Sequence, residues 1–380
     1  MSAAAVLEGT EQHAHARMVL GSAIEHGAPS HAYLFHGPPG TGKRTAARAL
    51  AAELLAEGSD DPDAIRRRVA HGAHPDLTWV APTGAHAMRI GDVEEPVIAA
   101  ANRTPFEASK RVFVLERVDT MSDDVANRML KTLEEPAAYV HLILLTDALG
   151  RVLETVVSRC QLVRFDPLPA DRLASDLVND GVQPDRARAC GRLALGNATR
   201  AKYLASDDGE ALRADVDVYV RAMLAGESRP PSATEPWRPL LARAEERRDL
   251  AETRVAEEAK RRLELEPKGR ERKALEKEFE EMAKRDGRRA RTEVLDLGLE
   301  LIALAFRDLL CVSEGAQDAV LGTDRCESLA SVARGRDSRR LRDAVDQCED
   351  SRLSLELNVS EDLALTALSV RLEQLVGASD

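Results

Sequence analysis

Short runs of consecutive apolar residues alternate with amphipathic stretches over the first 166 residues of the chain. Ala32-Tyr33-Leu34-Phe35-His36 is one such run and stops at glycines and prolines, which predicts a buried strand followed by a helix from about Lys43 to Glu57. Asp76 to Val80, Arg111 to Leu115, Tyr139 to Leu145 and Gln161 to Phe165 read as four further strands. Ile90 to Ala101 and Ser122 to Glu135 read as helices, the second stopped by Pro136. Unbroken apolar strands, unlike alternating ones, have both faces covered. Strand and helix in alternation therefore predict a parallel sheet between helical layers.

After Asp166-Pro167-Leu168-Pro169 the strand signal ends and helical spacing takes over. Leu295, Leu299, Ile302, Phe306 and Leu309 form one stripe, and Leu365, Leu368, Leu372 and Leu375 another, both read as the core of a helix bundle. Asn358 with Glu361 looks like a capping pair before the last helix. The expected organisation is an α/β P-loop module over 1–166, a small helical lid over 167–206, and an all-α C-terminal domain over 207–380. A boundary is expected near Ser206 to Gly209 and a looser linker at Ser228 to Ser232.

Charge changes this picture in one place. The formal net charge is −12, but residues 243–293 carry 17 basic and 15 acidic groups, while 294–380 carry 9 and 17. Such dense mixed charge predicts an exposed helical arm with i,i+4 ion pairs, broken into an αα-hairpin at Pro267-Lys268-Gly269. A thin stripe at Leu275, Phe279 and Met282 would pack on a neighbour. Basic pairs at Lys284-Arg285 and Arg288-Arg289 keep open a DNA-contacting role for the arm. The acidic balance and an aromatic content of 3% argue against a nucleic-acid coat or a base-stacking platform. Five scattered cysteines without a Cys-x-x-Cys pair point to neither disulfides nor zinc, and fit a cytoplasmic location. No apolar run is long enough for a membrane helix, and no signal peptide is expected.

The strongest motif is Gly37-Pro38-Pro39-Gly40-Thr41-Gly42-Lys43, between a strand and a helix. Backbone N–H groups of such a loop converge on phosphates, the helix N-terminus adds partial positive charge, and Lys43 reaches the terminal phosphates. The next position usually supplies a hydroxyl to magnesium; here it is Arg44, with Thr45 one residue late. One residue along a helix rotates a side chain by about 100°, so Thr45 does not replace that hydroxyl. The third strand runs into Glu116-Arg117, a degenerate form of the strand end that supports magnesium and polarises water. Glu116 could hold magnesium indirectly, but the Arg117 guanidinium cannot act as a base. ATP binding without efficient hydrolysis, with weak or absent magnesium, is the resulting expectation.

The segments His31 to Pro38, Ala126-Asn127-Arg128-Met129-Leu130-Lys131-Thr132-Leu133-Glu134-Glu135-Pro136 and Ser158-Arg159-Cys160 together resemble the clamp-loader branch of the AAA+ ATPases. The resemblance is dense over 30–167, and the tail from Asn358 to Leu375 is similar to the last helix of clamp-loader collar domains. It implies a AAA+ module, a helical lid and a collar within a five-membered incomplete ring that has ATP at subunit interfaces. It implies that Arg159 serves as an arginine finger in a neighbour's site. It also implies that Thr146 and Arg200 stand at the two γ-phosphate sensor positions. The implied partners are the ATPase subunits, the clamp-opening subunit, and, through the assembly, the sliding clamp and primer-template DNA. Many bacterial relatives carry a four-cysteine zinc module before the His-Pro-Asp strand; here His74-Pro75-Asp76 is present but 53–72 contains no cysteine. No zinc and a shortened loop-helix are therefore expected.

The reading that follows is a stator-like subunit rather than a motor. A motor subunit of the same loader, a AAA+ regulator of replication or recombination, and a P-loop kinase of a small metabolite stand as alternatives.

Overall fold

The computed structural model describes residues 10, 12–83, 87–226, 235–264, 269–333, 335–356 and 360–377. They divide into two compact units, Met1–Pro169 with Leu195–Thr199, and Ala170–Ala194 with Arg200–Asp380.

The first unit is built on five parallel strands: β1 (Ala32–His36), β2 (Leu77–Val80), β3 (Arg111–Leu115), β4 (Val140–Thr146) and β5 (Gln161–Arg164), in the order β2-β3-β4-β1-β5. These are the five segments expected from the apolar runs, with ends moved by no more than one residue. Helices α1 (Ala14–Glu25), α2 (Lys43–Ala56), α3 (Pro62–Ala70), α4 (Ile90–Val93), α5 (Asp123–Glu134) and α6 (Glu154–Val157) accompany the sheet. All seven residues of β4 are buried, as a central parallel strand requires.

Successive side chains on a strand point to opposite faces, so each strand feeds two cores. Leu34, Phe113, Leu142 and Leu144 pack with Val125, Met129 and Leu133 of α5. Tyr33, Phe35, Val112, Val114 and Ile143 pack with Leu20 of α1 and with Ala46, Ala47 and Leu50 of α2. The helix expected over 90–101 changes character: α4 passes into a π turn over Glu94–Ala99. Pro96 within that turn has no N–H to give to the helical ladder, and the widened turn accommodates the missing bond.

Two features fix the loops at the sheet's margins. Asp76, fully buried before β2, accepts the backbone N–H groups of Phe106 (2.6 Å), Glu107 (2.9 Å) and Ala108 (2.9 Å). Burial alone would raise its pKa, but these three bonds hold the carboxyl below the usual carboxylate range. Gly40, at φ +69, faces Asn197, so an added Cβ would stand 1.8 Å from Asn197 Oδ1. Ala198 N–H donates to the Gly40 carbonyl at 3.1 Å. Segment 195–199 is thereby packed on the loop that follows β1.

The second unit is helical among the described residues. It contains α7 (Ala170–Asn179), α8 (Pro184–Leu193), most of α9 (Ala198–Ala205), α10 (Asp207–Ala225), α11 (Arg238–Glu264), α12 (Arg270–Ser313), α13 (Cys326–Ala333), α14 (Ser338–Glu356) and α15 (Glu361–Val376). Helix α12 has 44 residues, about 66 Å at 1.5 Å per residue. Its C-terminal half buries Leu295, Leu299, Ile302, Phe306 and Leu309. Its N-terminal half pairs with α11: Arg291 with Glu245, Arg254 with Asp286 (3.7 Å), and Arg272 Nη1 with the Leu263 carbonyl (2.8 Å). Residue numbers that fall on one helix as they rise on the other make the pair antiparallel. Within-helix pairs at i,i+4 include Arg248–Glu252, Arg272–Glu276 and Arg289–Glu293. Leu275, Phe279 and Met282 are half-buried. Pro267 and Lys268 lie outside the described residues, as do Asn358 and the linker at 228–232. On α15, Leu365, Leu368 and Leu372 are buried, and Val376 rather than Leu375 completes the stripe. No described helix is long and apolar enough to cross a membrane.

Two outcomes follow for stability. The Asp76 carboxyl binds its proton more readily in the unfolded chain, so its contribution is present above about pH 3.9 and is lost as pH falls through the lower folded value. Asp76→Asn should remove that part of the acid-unfolding slope and cost about 2–4 kcal/mol at neutral pH, read from thermal or denaturant unfolding against pH. Gly40→Ala should cost about 2–4 kcal/mol, through both its left-handed backbone and the collision with Asn197. Gly58→Ala, at φ +77 but with open space around it, should lose only the backbone part, about 1–2 kcal/mol.

Candidate functional site

Because β1 lies between β4 and β5, His36 is in register with Thr146 on one side and Arg164 on the other. The chain after β1 therefore leaves the sheet beside the ends of its neighbours, where ligands of open parallel sheets bind. Gly37 makes this exit possible: at φ +145 it lies so close to β5 that an added Cβ would sit 2.0 Å from the Phe165 carbonyl oxygen. Gly42, at φ +93, then turns the chain into α2.

Lys43 opens α2 and is buried. Its ammonium donates to the carbonyls of Gly37 and Pro38, both at 2.6 Å, and lies 2.6 Å from Asp147 Oδ1. An ammonium has three N–H donors, and these three oxygens match them. Thr41 is buried and gives its hydroxyl to the Pro38 carbonyl at 2.9 Å. Pro38 and Pro39 are exposed. The loop is thus a ring of main chain closed on its own lysine.

Arg44 and Glu116, separate irregularities in the sequence, form one ion pair. Arg44 Nη2 lies 2.8 Å from Glu116 Oε1, with the arginine side chain 64% exposed and the carboxylate buried. The same oxygen accepts the Trp79 indole N–H at 2.5 Å. β2 supplies the indole, the residue following β3 the carboxylate and α2 the guanidinium. Thr45, the late hydroxyl, is exposed on α2. Arg117 follows in the left-handed region (φ 52, ψ 47), and its carbonyl accepts the Thr120 hydroxyl at 2.7 Å. Thr146, buried at the end of β4, donates its hydroxyl to Asp119 Oδ1 at 2.8 Å and accepts the Ala148 N–H at 3.0 Å.

Two candidates remain. Arg159 follows α6; its Nη1 donates to the Thr155 carbonyl at 2.7 Å and lies 3.3 Å from Ser158 Oγ, and its Nη2 pairs with Glu134 at the end of α5. The Ser-Arg-Cys and Leu-Glu-Glu-Pro motifs are therefore two sides of one ion pair. Cys160, beside it, packs against the sheet core, and burial pushes its thiol up to about 12. Arg200 belongs to the helical unit, where it makes two parallel bonds of 2.7 Å to the Glu300 carboxylate of α12. Arg352 of α14 shares that carboxylate at 3.1 Å.

Sequence reasoning missed Trp79, Asp147 and the partner role of Glu134. An acidic residue directly after the strand-end threonine was a readable signal for Asp147. Nothing in the spacing of Trp79 marks it as a carboxylate's partner, because that contact depends on which strands are neighbours.

Magnesium at a phosphate loop calls for a hydroxyl after the lysine and a free carboxylate at the end of a nearby strand. Here a cation stands at the first position and neutralises the second, so the residues present do not fit that ion. Among the described residues, no group of three or more His, Cys, Asp or Glu side chains is placed to hold a metal.

A family model described as DNA polymerase III, delta subunit, matches residues 12–169. The DNA polymerase III subunit delta' of Bacillus subtilis is 34% identical over 196 residues, 50% of this chain and 58% of its own length. The subunit of the same name from Pseudomonas aeruginosa is 29% identical over 227 residues, 57% of this chain and 68% of its own. The chain thus spans a little over half to two thirds of these relatives. Among solved structures, a DNA polymerase III gamma subunit-related protein from Thermotoga maritima aligns over 93% of this chain and 98% of its own, at 15% identity and a TM-score of 0.42. Over the P-loop module at residues 12–169 the chain is thus similar to the DNA polymerase III delta-prime branch of the clamp-loader AAA+ family.

Proposed function

We propose that this chain is a non-motor, stator-like subunit of the bacterial replicative clamp loader. It donates Arg159 in trans to a neighbouring ATPase subunit while the sliding clamp is loaded onto primed DNA. The proposed organisation remains a AAA+ module over 1–166, a lid over 167–206 and a collar over 207–380, with ATPase and clamp-opening subunits as partners in the cytoplasm. Nucleotide binds through Gly37 to Lys43 without efficient turnover.

The observation that carries this reading is the setting of Arg159. Its guanidinium is at the surface, and its partners, Thr155, Ser158 and Glu134, all lie outside the phosphate loop. A guanidinium offers a fixed fork of N–H donors matched to phosphate oxygens, and Glu134 holds that fork in place until a stronger anion competes for it. The Arg44–Glu116 pair and the arginine at 117 support the non-motor half, since neither a water-activating carboxylate nor a free metal ligand remains in the positions that turnover needs.

Thr146 and Arg200 enter the proposal differently. Thr146 is poised at the strand end beside the loop and can report on a bound phosphate by exchanging its bond to Asp119. Arg200 is engaged with Glu300, so a sensor role would require that pair to open.

The test mixes this chain with its motor and clamp-opening subunits and compares wild type with Arg159→Ala in clamp- and DNA-stimulated ATP hydrolysis. Turnover at the neighbouring site should fall by about 10³-fold or more, lowering total activity by that site's share while assembly is retained. Arg159→Lys, a point charge without the fork, should not restore it. Unchanged hydrolysis by an assembled Arg159→Ala loader would overturn the finger.

A further inference from the structure

The misfit between the phosphate loop and magnesium has a physical form that points to a ligand state. A magnesium-dependent loop brings a divalent cation to the phosphates with the ligand. This chain carries a covalently attached cation at the same helix start: Arg44 follows Lys43 directly and is anchored through Nη2 to the buried Glu116. Trp79, donating to that same Oε1, keeps the carboxylate facing Arg44. A guanidinium has five N–H donors and stays charged at any pH the protein meets. With Nη2 on Glu116 and the side chain 64% exposed, the fork keeps donors accessible to a ligand from solvent. Lys43 supplies a second fixed charge a residue away, steadied by Asp147 at 2.6 Å.

We infer that this loop takes the metal-free polyphosphate of a nucleotide, with Arg44 in place of the magnesium ion. The inference rests on the nucleotide-binding part of the proposed function, but not on Arg159 or on the stator role. Two consequences separate it from ordinary phosphate-loop binding. Removing magnesium should leave affinity intact, because no ligand of the complex is lost. Magnesium should even compete slightly, since it covers the phosphate oxygens that Arg44 would meet and adds repulsion between two cations. Replacing Arg44 by threonine should reverse this, because it restores the hydroxyl and frees Glu116 from its ion pair.

The experiment titrates a fluorescent ATP analogue into the purified full chain, once with excess EDTA and once with millimolar magnesium. Arg44→Thr is treated in parallel, with thermal unfolding as the check that both proteins are folded. For wild type the two dissociation constants should agree within about twofold, or favour EDTA. For Arg44→Thr, EDTA should weaken binding about tenfold or more, equivalent to about 1.4 kcal/mol. Glu116→Gln, which releases Arg44 from its anchor and leaves no carboxylate to oppose the ligand, should retain chelator-insensitive binding. Wild-type binding that needs magnesium would overturn the inference, as would an Arg44→Thr protein that binds equally well in EDTA. Absence of nucleotide binding under both conditions would overturn it together with the nucleotide-binding reading, and would leave the Arg159 proposal to its own test in the assembled loader.

Discussion

The parallel register that places β1 between β4 and β5 governs everything at the candidate site. It sets the exit of the phosphate loop beside the ends of its neighbours, with His36 opposite both Thr146 and Arg164. It also brings the end of β3 within reach of the start of α2, so that Glu116 can meet Arg44. Glycine is required where these loops crowd: Gly37 against Phe165 and Gly40 against Asn197. Two apolar cores lock the faces of the sheet, and Asp76 and Lys43 tie its margins down through internal bonds.

A phosphate loop that has satisfied its own lysine and acquired its own cation is suited to stay in one state. In a motor, metal, water and carboxylate must come together and separate with each cycle. Here the carboxylate is bound twice over, by an indole and a guanidinium, and the residue after it is Arg117, whose guanidinium cannot act as a base. The same module keeps Arg159 at its surface, paired to Glu134 across two helices. A fixed site and an exposed guanidinium suit the proposed division of labour, in which this chain serves a neighbour's chemistry rather than its own.

Much of the first unit was legible from residues alone. Short stretches rich in apolar residues located all five strands, and the glycines, prolines and lysine after β1 located the loop. What was not legible depended on three-dimensional neighbours. The substitutions Arg44 and Arg117 read as two losses, whereas the first also builds a pair with Glu116 that no spacing rule reports. Helix α1 carries only Ala16 and Leu20 as fully buried apolar residues, too few to declare itself. Pro96 was visible, but its effect, a π turn in place of a continuous helix, was not. In the second unit the stripes on α12 and α15 were plain because their spacing is regular. The bidentate commitment of Arg200 to Glu300, a hundred residues away, was beyond any local pattern.

The central claim, that this module holds a phosphate site without running it, is met most directly by steady-state ATP hydrolysis of the purified chain. The measurement adds magnesium, sliding clamp and primed DNA, and compares wild type with Lys43→Ala. A module of the kind described gives no turnover that depends on Lys43, so the two proteins are indistinguishable. Sustained hydrolysis by wild type, stimulated by clamp and DNA and lost in Lys43→Ala, would contradict it and make this chain a motor.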